Sequence, residues 1–257
     1  MILNLDSDVL IYKSLSQKAR VLTEEWGTHN LYCPACPSNR VIREPNNREA
    51  VDFMCPDCRA SFQLKACRNP IGRKITDAAY EAMKRAVLAD NFPHLFVMHY
   101  SLDVLKVLNV LAIPKYFLSL SAVEPRKPLA STARRAGWVG CNIILDNVPP
   151  DGRINVIKDG VVCPKDDVRE RFQRSRGLSN IETSTRGWVL DLLTVLRSLN
   201  KTEFSLSEAY NFEDQLATLH PNNRHIREKI RQQLQILRDL GQITFLGSGK
   251  YCLKPLD

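Results

Sequence analysis

The stretch that decides the fold is residues 50–67, Ala-Val-Asp-Phe-Met-Cys-Pro-Asp-Cys-Arg-Ala-Ser-Phe-Gln-Leu-Lys-Ala-Cys. It predicts two short strands joined by a Cys-Pro-Asp-Cys turn, with Asp52 on the first strand. On the second strand, Gln63 and Lys65 share one face because strand residues two apart point to the same side. We therefore expect an acid, an amide oxygen and a lysine to converge beside the turn.

Four cysteines frame this stretch in the pattern C-x2-C-x18-C-x2-C, and they are Cys33, Cys36, Cys55 and Cys58. Two residues between paired cysteines let both sulfurs of a tight turn reach one tetrahedral zinc ion. The alternative is two redox motifs, which would leave the matching second pair unexplained. The pattern predicts a structural zinc site, which contributes on the order of 10 kcal/mol to folding. We interpret the other four cysteines as unliganded.

Asp52, Gln63 and Lys65 form the pattern D-x10-Q-x-K. Hydrolysis of a phosphodiester needs a hard cation held by oxygen ligands, near a positive group that orients water and offsets developing charge. The three side chains can supply these functions, and we interpret them as a divalent-metal nuclease centre, although the pattern is weak by itself. The alternative is a solvated strand surface, since Asp and Lys are common there.

Composition indicates which binding partner and which cellular compartment to expect. The chain has 257 residues and a net charge of +8, which favours a polyanionic partner. It lacks 18 consecutive apolar residues, so we expect no transmembrane helix. Residues 1–6, Met-Ile-Leu-Asn-Leu-Asp, do not resemble a secretory signal. Together with the paired cysteines, this predicts a cytoplasmic protein.

The first 162 residues predict further helices and strands. Residues 7–26 suggest a helix that Gly27 ends, with Glu24 off its apolar stripe. We interpret Glu24 and Glu25 as part of a solvated face, with a link to the metal for either one as the alternative. A helix over 76–90 and a hairpin over 154–162 are also expected. The apolar segments 94–100 and 105–113 predict strands covered on both faces.

The last seventy residues predict a winged helix. A helix is expected over 187–199, and the capping box Ser205-Leu-Ser-Glu208 starts a second one. The third begins near Asn222 or Asn223 and ends at Gly241, a residue suited to a left-handed cap. Two strands around a glycine turn follow at 243–253.

The predicted domain boundary lies in the polar, arginine-rich segment 163–186, where we expect little regular structure. We therefore predict a first domain over 1–180, with a zinc-binding insertion at about 33–58, and a winged-helix domain over 181–257.

Two segments are candidates for binding DNA. Outside its apolar stripe, the third C-terminal helix and its start carry polar groups suited to base edges and phosphates. These are Asn222, Asn223, Arg224, His225, Lys229, Gln232 and Gln233. A solvated helix in a protein-binding winged helix is the alternative.

The second segment is the long loop 124–142, which holds Arg134, Arg135, Trp138 and Asn142. A tryptophan in a basic loop is either a core residue or a stacking platform for bases.

These residues converge on a family. The chain resembles the DpnI-like methyl-directed restriction endonucleases over nearly its full length. The resemblance rests on the paired C-x-x-C motifs and on three longer matches. They are Ser-Gln-Lys-Ala-Arg at 16–20, Lys-Pro-Leu-Ala-x-Thr-Ala-Arg-Arg-Ala-Gly-Trp at 127–138 and Ile-Arg-Glu-Lys-Ile-Arg-Gln-Gln-Leu-Gln-Ile-Leu-Arg-Asp at 226–239.

The resemblance implies an α/β fold with a PD-(D/E)xK nuclease core, an inserted zinc site and a winged helix. It implies cleavage of double-stranded DNA at GATC sites that carry N6-methyladenine. Asp52, Gln63 and Lys65 would form the catalytic motif, with the Leu64 carbonyl as a further Mg²⁺ ligand and Trp138 contributing to methyl recognition. The family has glutamate at the position of Gln63, so we expect activity with a greater need for Mg²⁺ or a preference for Mn²⁺.

The sequence therefore predicts a methyl-directed endonuclease that is a monomer in solution. Two alternatives remain open at this point. One is a non-catalytic reader of methylated DNA, and the other is a winged-helix transcription regulator with an impaired nuclease site.

Overall fold

The computed structural model describes residues 1–5, 14–45 and 50–256. Their fold is mixed α/β with a central sheet and C-terminal helices, which confirms the predicted class. The chain divides into two compact units that alternate along the sequence. Unit 1 comprises Met1–Ile75, Asn91–Lys115 and Gly152–Arg176, and unit 2 comprises Thr76–Asp90, Tyr116–Asp151 and Gly177–Asp257. The domain boundary near residue 180 stays a prediction.

The helices, in chain order, are α1 (Leu15–Asn30), α2 (Tyr80–Leu88), α3 (Lys165–Arg174), α4 (Arg176–Ser179), α5 (Thr183–Ser198), α6 (Leu206–Tyr210), α7 (Glu213–Leu219) and α8 (Ile226–Asp239). The strands are β1 (Ile42–Arg43), β2 (Phe53–Met54), β3 (Ser61–Cys67), β4 (Lys74–Ala79), β5 (His94–Ser101), β6 (Lys106–Ile113), β7 (Val123–Pro125), β8 (Gly140–Ile144), β9 (Ile154–Lys158), β10 (Val161–Val162), β11 (Glu203–Ser205), β12 (Ile243–Gly247) and β13 (Lys250–Leu253). None of the helices in the described ranges has the length and apolar character needed to cross a membrane.

Unit 1 is built on a seven-stranded sheet in the order β1-β2-β3-β5-β6-β9-β10. Strands β3 and β5 are parallel, and the other neighbouring pairs are antiparallel. Strand β5 is buried along its length except at Ser101, which confirms the prediction of a strand covered on both faces. Phe62 of β3 stacks on Phe96 of β5 with ring centroids 5.0 Å apart. The predicted hairpin over 154–162 is present as β9 and β10.

Helix α3 occupies the segment that was expected to lack regular structure, so that prediction is wrong. Only Val168 and Phe172 of this helix are buried, and they insert into the core of unit 1. One pair of apolar residues four positions apart is enough to dock a helix, but it gives too weak a periodic signal to be recognised in a polar sequence.

Helix α1 continues to Asn30, so the prediction that Gly27 ends it is also wrong. Gly27 instead makes room for a neighbour, because an added Cβ would lie 2.7 Å from the ring of Phe53. Residues 7–13 of the predicted helix lie outside the described residues.

Unit 2 contains two three-stranded sheets, in the orders β4-β8-β7 and β11-β13-β12. The helix predicted over 76–90 begins only at Tyr80, because the residues before it pair as strand β4. The capping box at Ser205 is present, with Glu208 bonded to the Ser205 backbone and side chain. Gly241 follows α8 with a φ of +67°, as the left-handed cap requires.

Helix α8 begins at Ile226 and not at Asn222 or Asn223. Residues 220–225 form the turn before it, in which the side-chain oxygen of Asn223 accepts a hydrogen bond from the His225 backbone. Asparagine side chains favour such turns over helix interiors. The C-terminal hairpin is present as β12 and β13, as predicted.

Candidate functional site

The four predicted zinc ligands form one cluster in unit 1. The Sγ atoms of Cys33 and Cys58 lie 3.6 Å apart, and those of Cys36 and Cys55 lie 3.5 Å apart. All four sulfurs lie within 4.8 Å of one another. A tetrahedral ion with Zn–S bonds of about 2.3 Å sets its sulfurs about 3.8 Å apart. The cluster therefore has the donors and the spacing for a metal ion such as zinc.

The backbone of both C-x-x-C turns favours this role. The Cys33 N–H donates to the Ser38 carbonyl at 3.2 Å, and the Cys55 N–H donates to the Ala60 carbonyl at 2.8 Å, so the two turns close in the same way. Burial raises the pKa of the Cys55 thiol, but hydrogen bonds from the backbone of Cys58 and Asp57 outweigh it and lower the pKa to about 7. Burial raises the pKa of the Cys33 and Cys58 thiols, so among these three cysteines Cys55 most readily supplies the thiolate that binds metal.

Two arginines hold the first cysteine turn in place. The guanidinium of Arg169 on α3 donates to the carbonyls of Pro37 and Ser38 at 2.9 and 3.0 Å. Arg176 donates to the Ala35 carbonyl at 2.7 Å. Charge-assisted bonds of this kind fix a loop that has little regular structure of its own.

The side chain of Asp52 forms a hydrogen bond with the backbone of strand β3. Asp52 lies one residue before β2, and its Oδ2 accepts the Leu64 N–H at 2.7 Å. Because the N–H and C=O of one strand residue point to the same side, the Leu64 carbonyl also faces the side of Asp52. The structure thus brings the Asp52 carboxylate and Leu64 together, and their role as metal ligands stays a prediction.

Gln63 and Lys65 flank Leu64 on β3, and both are half-buried. The Gln63 side-chain oxygen is buried and accepts no hydrogen bond from the described residues. Such an oxygen is unfavourable unless a donor or a cation meets it. Burial raises the pKa of the Asp52 carboxyl, and the positive charge of Lys65 is near enough to oppose that rise, so we group the lysine with this site.

Glu24 of α1 lies near Asp52, and the prediction that it belongs to a solvated face is wrong. It is 6% exposed, and it pairs with Arg20 at 2.6 Å and with Arg43 of β1. A cavity of about 20 Å³, enough for one water molecule, lies between these residues and Asp52. Burial raises the pKa of the Asp52 carboxyl, the Leu64 N–H opposes this, and the Glu24 charge reinforces it.

The loop between β7 and β8 in unit 2 holds Trp138 half-buried and Arg134 and Arg135 exposed. The guanidinium carbon of Arg135 lies 5.4 Å from the centroid of the Trp138 ring. The indole rests on Gly140, where an added Cβ would lie 2.9 Å from two of its ring atoms. Asn142 is bonded across the strands to Glu124 at 3.3 Å. Trp138 is therefore partly accessible, and the position of its ring depends on the absence of a side chain at Gly140.

The predicted DNA-binding residues at the start of α8 cluster on the turn before it. Asn222, Asn223, Arg224 and His225 line one cavity of about 560 Å³. On the helix, Gln232 is exposed and accepts the Lys229 ammonium at 2.9 Å. Gln233 is the exception, because it is 0% exposed and faces the interior, where DNA cannot contact it. We correct the predicted interface by leaving Gln233 out.

Two family models match the chain. The model described as the Dam-replacing family (DpnI) matches residues 1–181, and the model described as the Dam-replacing HTH domain (DpnI_C) matches residues 184–252. The first match covers more than half of the 257 residues and includes the cysteine cluster, the Asp52 site and the Trp138 loop. The second includes the turn at 220–225 and helix α8.

Proposed function

Because this chain belongs to the Dam-replacing (DpnI) family, we propose that it is a type II methyl-directed restriction endonuclease. Its substrate is double-stranded DNA with N6-methyladenine in GATC sites. The family matches support a methyl-directed restriction enzyme, and the recognition sequence and the chemistry are our proposal. In this proposal residues 1–180 form a PD-(D/E)xK nuclease domain with the zinc insertion at 33–58, and residues 181–257 form a winged helix.

The buried oxygen of Gln63, which accepts no hydrogen bond within the described part of the chain, is the single observation that carries the catalytic part of the proposal. It lies beside Leu64, whose N–H meets the Asp52 carboxylate. A carboxylate, an amide oxygen and a backbone carbonyl are the oxygen donors that Mg²⁺ takes. The residues therefore fit a catalytic Mg²⁺ held by Asp52, Gln63 and Leu64, with Mn²⁺ as a substitute.

The bound ion would lower the pKa of water and offset charge on the phosphate. Lys65 supplies a positive charge at the same place, and it can orient the attacking water and stabilise the charge that develops on the phosphoryl oxygens. The arginines that pair with Glu24 neutralise that acid, which limits its repulsion of an incoming phosphate. The four cysteines would hold zinc and brace the β2–β3 hairpin.

Unit 2 supplies the proposed recognition of DNA. The turn at 220–225 and helix α8 present Asn222, Asn223, Arg224, His225, Lys229 and Gln232, which suit the major groove. The loop with Arg134, Arg135 and Trp138 offers cations and one aromatic face, with Asn142 at its base. We propose that Trp138 contributes to reading the methyl group. We further propose a cytoplasmic monomer.

The test is a digest of one plasmid prepared with and without adenine methylation at GATC, in Mg²⁺ and then in Mn²⁺. We expect cleavage of the methylated plasmid alone, and its loss in Asp52→Ala. Asp103→Ala is the matched control, because Asp103 is an exposed acid of the same unit. If the methylated plasmid stays uncut in both metals, the proposed endonuclease activity is contradicted. If Asp52→Ala still cleaves it, the proposed catalytic role of Asp52 is contradicted.

A non-catalytic reader of methylated DNA is the second candidate, and Gln63 favours it. With glutamine in place of the family's glutamate, the site has one negative charge fewer to hold a divalent cation. A reader would bind the methylated plasmid selectively and cut neither form. A winged-helix regulator without methyl preference would bind both forms equally.

A further inference from the structure

Asp191 on helix α5 is a buried carboxylate that the proposed chemistry does not use. It is 2% exposed and lies within unit 2. One of its oxygens accepts the Ser121 hydroxyl, and the other lies 2.8 Å from His220 Nε2. The His220 ring in turn stacks on Trp188, with centroids 3.6 Å apart and planes 12° from parallel.

The hydrogen bonds continue on the far side of Ser121. Its hydroxyl lies 2.6 Å from the Ser119 hydroxyl, and its carbonyl accepts the Asn147 amide at 2.6 Å. Asp191 therefore joins two segments that are distant in sequence. One runs over 116–151 and carries the Trp138 loop, and the other begins at His220 and leads into helix α8.

His220 is the anchor of the turn that carries the predicted DNA contacts. Its backbone carbonyl accepts the Asn223 N–H at 3.0 Å, so the position of His220 sets the position of the turn. Trp188 and His220 line the cavity of about 560 Å³ with Asn222–His225, and they also line a second cavity of about 420 Å³. The Lys229 ammonium lies 5.9 Å from the centroid of the Trp188 ring. These groups share one cleft on unit 2.

We propose that Asp191 is a positioning residue for DNA recognition: it holds His220, and through His220 it fixes the turn 220–225 and the Trp188 ring against which Lys229 lies. The inference rests on the proposed function, because it assumes that this turn contacts DNA. The physical reason is that a charged acceptor gives the imidazole one orientation. A turn already held in its bound form loses less conformational freedom on binding.

Helix α5 offers a matched control. Arg197 and Asp151 form a second buried contact of the same helix, at 2.6 Å with both side chains about 10% exposed. This pair is not part of the cleft lined by the turn. Asp151→Asn and Asp191→Asn therefore each remove one buried negative charge beside α5, but only the second acts on His220.

The experiment measures the Kd of the full chain for a fluorescent duplex with one methylated GATC site, without catalytic metal, together with the melting temperature. We expect Asp191→Asn to raise Kd about tenfold, because several contacts of the turn lose their alignment. Asp151→Asn is expected to lower the melting temperature at least as much and to leave Kd within about twofold of the wild type. Equal Kd values for Asp191→Asn and the wild type would overturn the inference.

A second variant applies if Asp191→Asn does not fold. His220→Phe keeps an aromatic ring on Trp188 and removes the bond to Asp191, and we expect the same rise in Kd. In the cleaving enzyme, both variants should raise KM and leave kcat at saturating DNA unchanged, since the nuclease residues lie in unit 1. An unchanged KM would contradict the positioning role. A wild type that does not bind the methylated duplex would instead remove the proposed function, and the inference with it.

Discussion

The two units differ in how their sites are assembled. In unit 1 the metal cluster and the Asp52 site come from one stretch, residues 33–65, whose cysteines, strands and turns carry their own signals. In unit 2 the candidate DNA contacts come from segments over 116–151 and 177–257, which meet through buried polar contacts on α5. A site formed by one stretch of sequence can be recognised from residue spacing. A composite site, which is formed by segments distant in sequence, depends on how the chain packs. Substitutions in each unit can separate these two kinds of site.

The largest effect is expected for the metal cluster. Cys55→Ser removes one of the four sulfurs that we propose hold zinc, and it should remove most of the roughly 10 kcal/mol that a structural zinc contributes to folding. Zinc content by mass spectrometry and thermal unfolding check this. Cys252→Ser is the control, because Cys252 is half-buried in unit 2 and outside the cluster. Equal zinc content in the two variants would contradict the assignment.

Removing one partner of the buried Arg197–Asp151 contact should lower stability less than losing the zinc site. Arg197→Ala leaves Asp151 buried without its partner, and we expect the free energy of unfolding to fall by about 3 kcal/mol. Arg238→Ala removes an exposed contact with Asp239, at 50% and 67% exposure, and should change stability by less than about 1 kcal/mol. Urea unfolding of both variants provides the comparison, and similar losses would show that the α5 contact is not special.

Adding one methyl group at Gly140 tests whether the position of the Trp138 ring matters for recognition. Gly140→Ala places a Cβ against the indole, so the ring must shift, and we expect selectivity for methylated over unmethylated DNA to fall about tenfold. Gly72→Ala adds the same group at a position where no atom of the described residues lies within 4 Å. Binding to paired duplexes measures the selectivity. If Gly140→Ala keeps full selectivity, Trp138 does not read the methyl group.

The smallest effect is expected at Gln63. Gln63→Glu adds one negative charge to the metal site, and it should lower the Mg²⁺ concentration for half-maximal cleavage about fivefold, which corresponds to about 1 kcal/mol. A titration of cleavage rate against Mg²⁺ measures this. An unchanged or increased requirement would mean that residue 63 does not hold the ion.

The same contrast explains what could be predicted. The four cysteines, the β2–β3 hairpin, the capping box at Ser205 and the left-handed Gly241 could be predicted, because each carries a recognisable motif: paired C-x-x-C turns, short strands around a turn, or a residue suited to a helix end. Helix α3 was missed because Val168 and Phe172 are its only buried residues, which gives too weak a periodic signal. Gln233 was misjudged because its polarity suggested a surface and the fold buries it.

Residues that act through distant partners gave no signal at all. Asp191 and His220 are 29 positions apart, and Ser121 is 70 positions from Asp191. Arg43 reaches Glu24 only because β1 pairs at the edge of the sheet. No periodicity or spacing rule connects such residues, so only the folded chain reveals that they belong together.

The most direct test of the central claim uses one duplex with a single GATC site, methylated or unmethylated, and compares the wild type with Lys65→Ala. Binding is measured by anisotropy in Ca²⁺, and cleavage is then started with Mg²⁺. We predict that both proteins prefer the methylated duplex with the same Kd, and that Lys65→Ala cleaves it about a thousandfold more slowly. If Lys65→Ala cleaves at the wild-type rate, the assignment of the chemistry to this site in unit 1 is contradicted. If the wild type binds the two duplexes equally, the proposed recognition of the methyl group by unit 2 is contradicted.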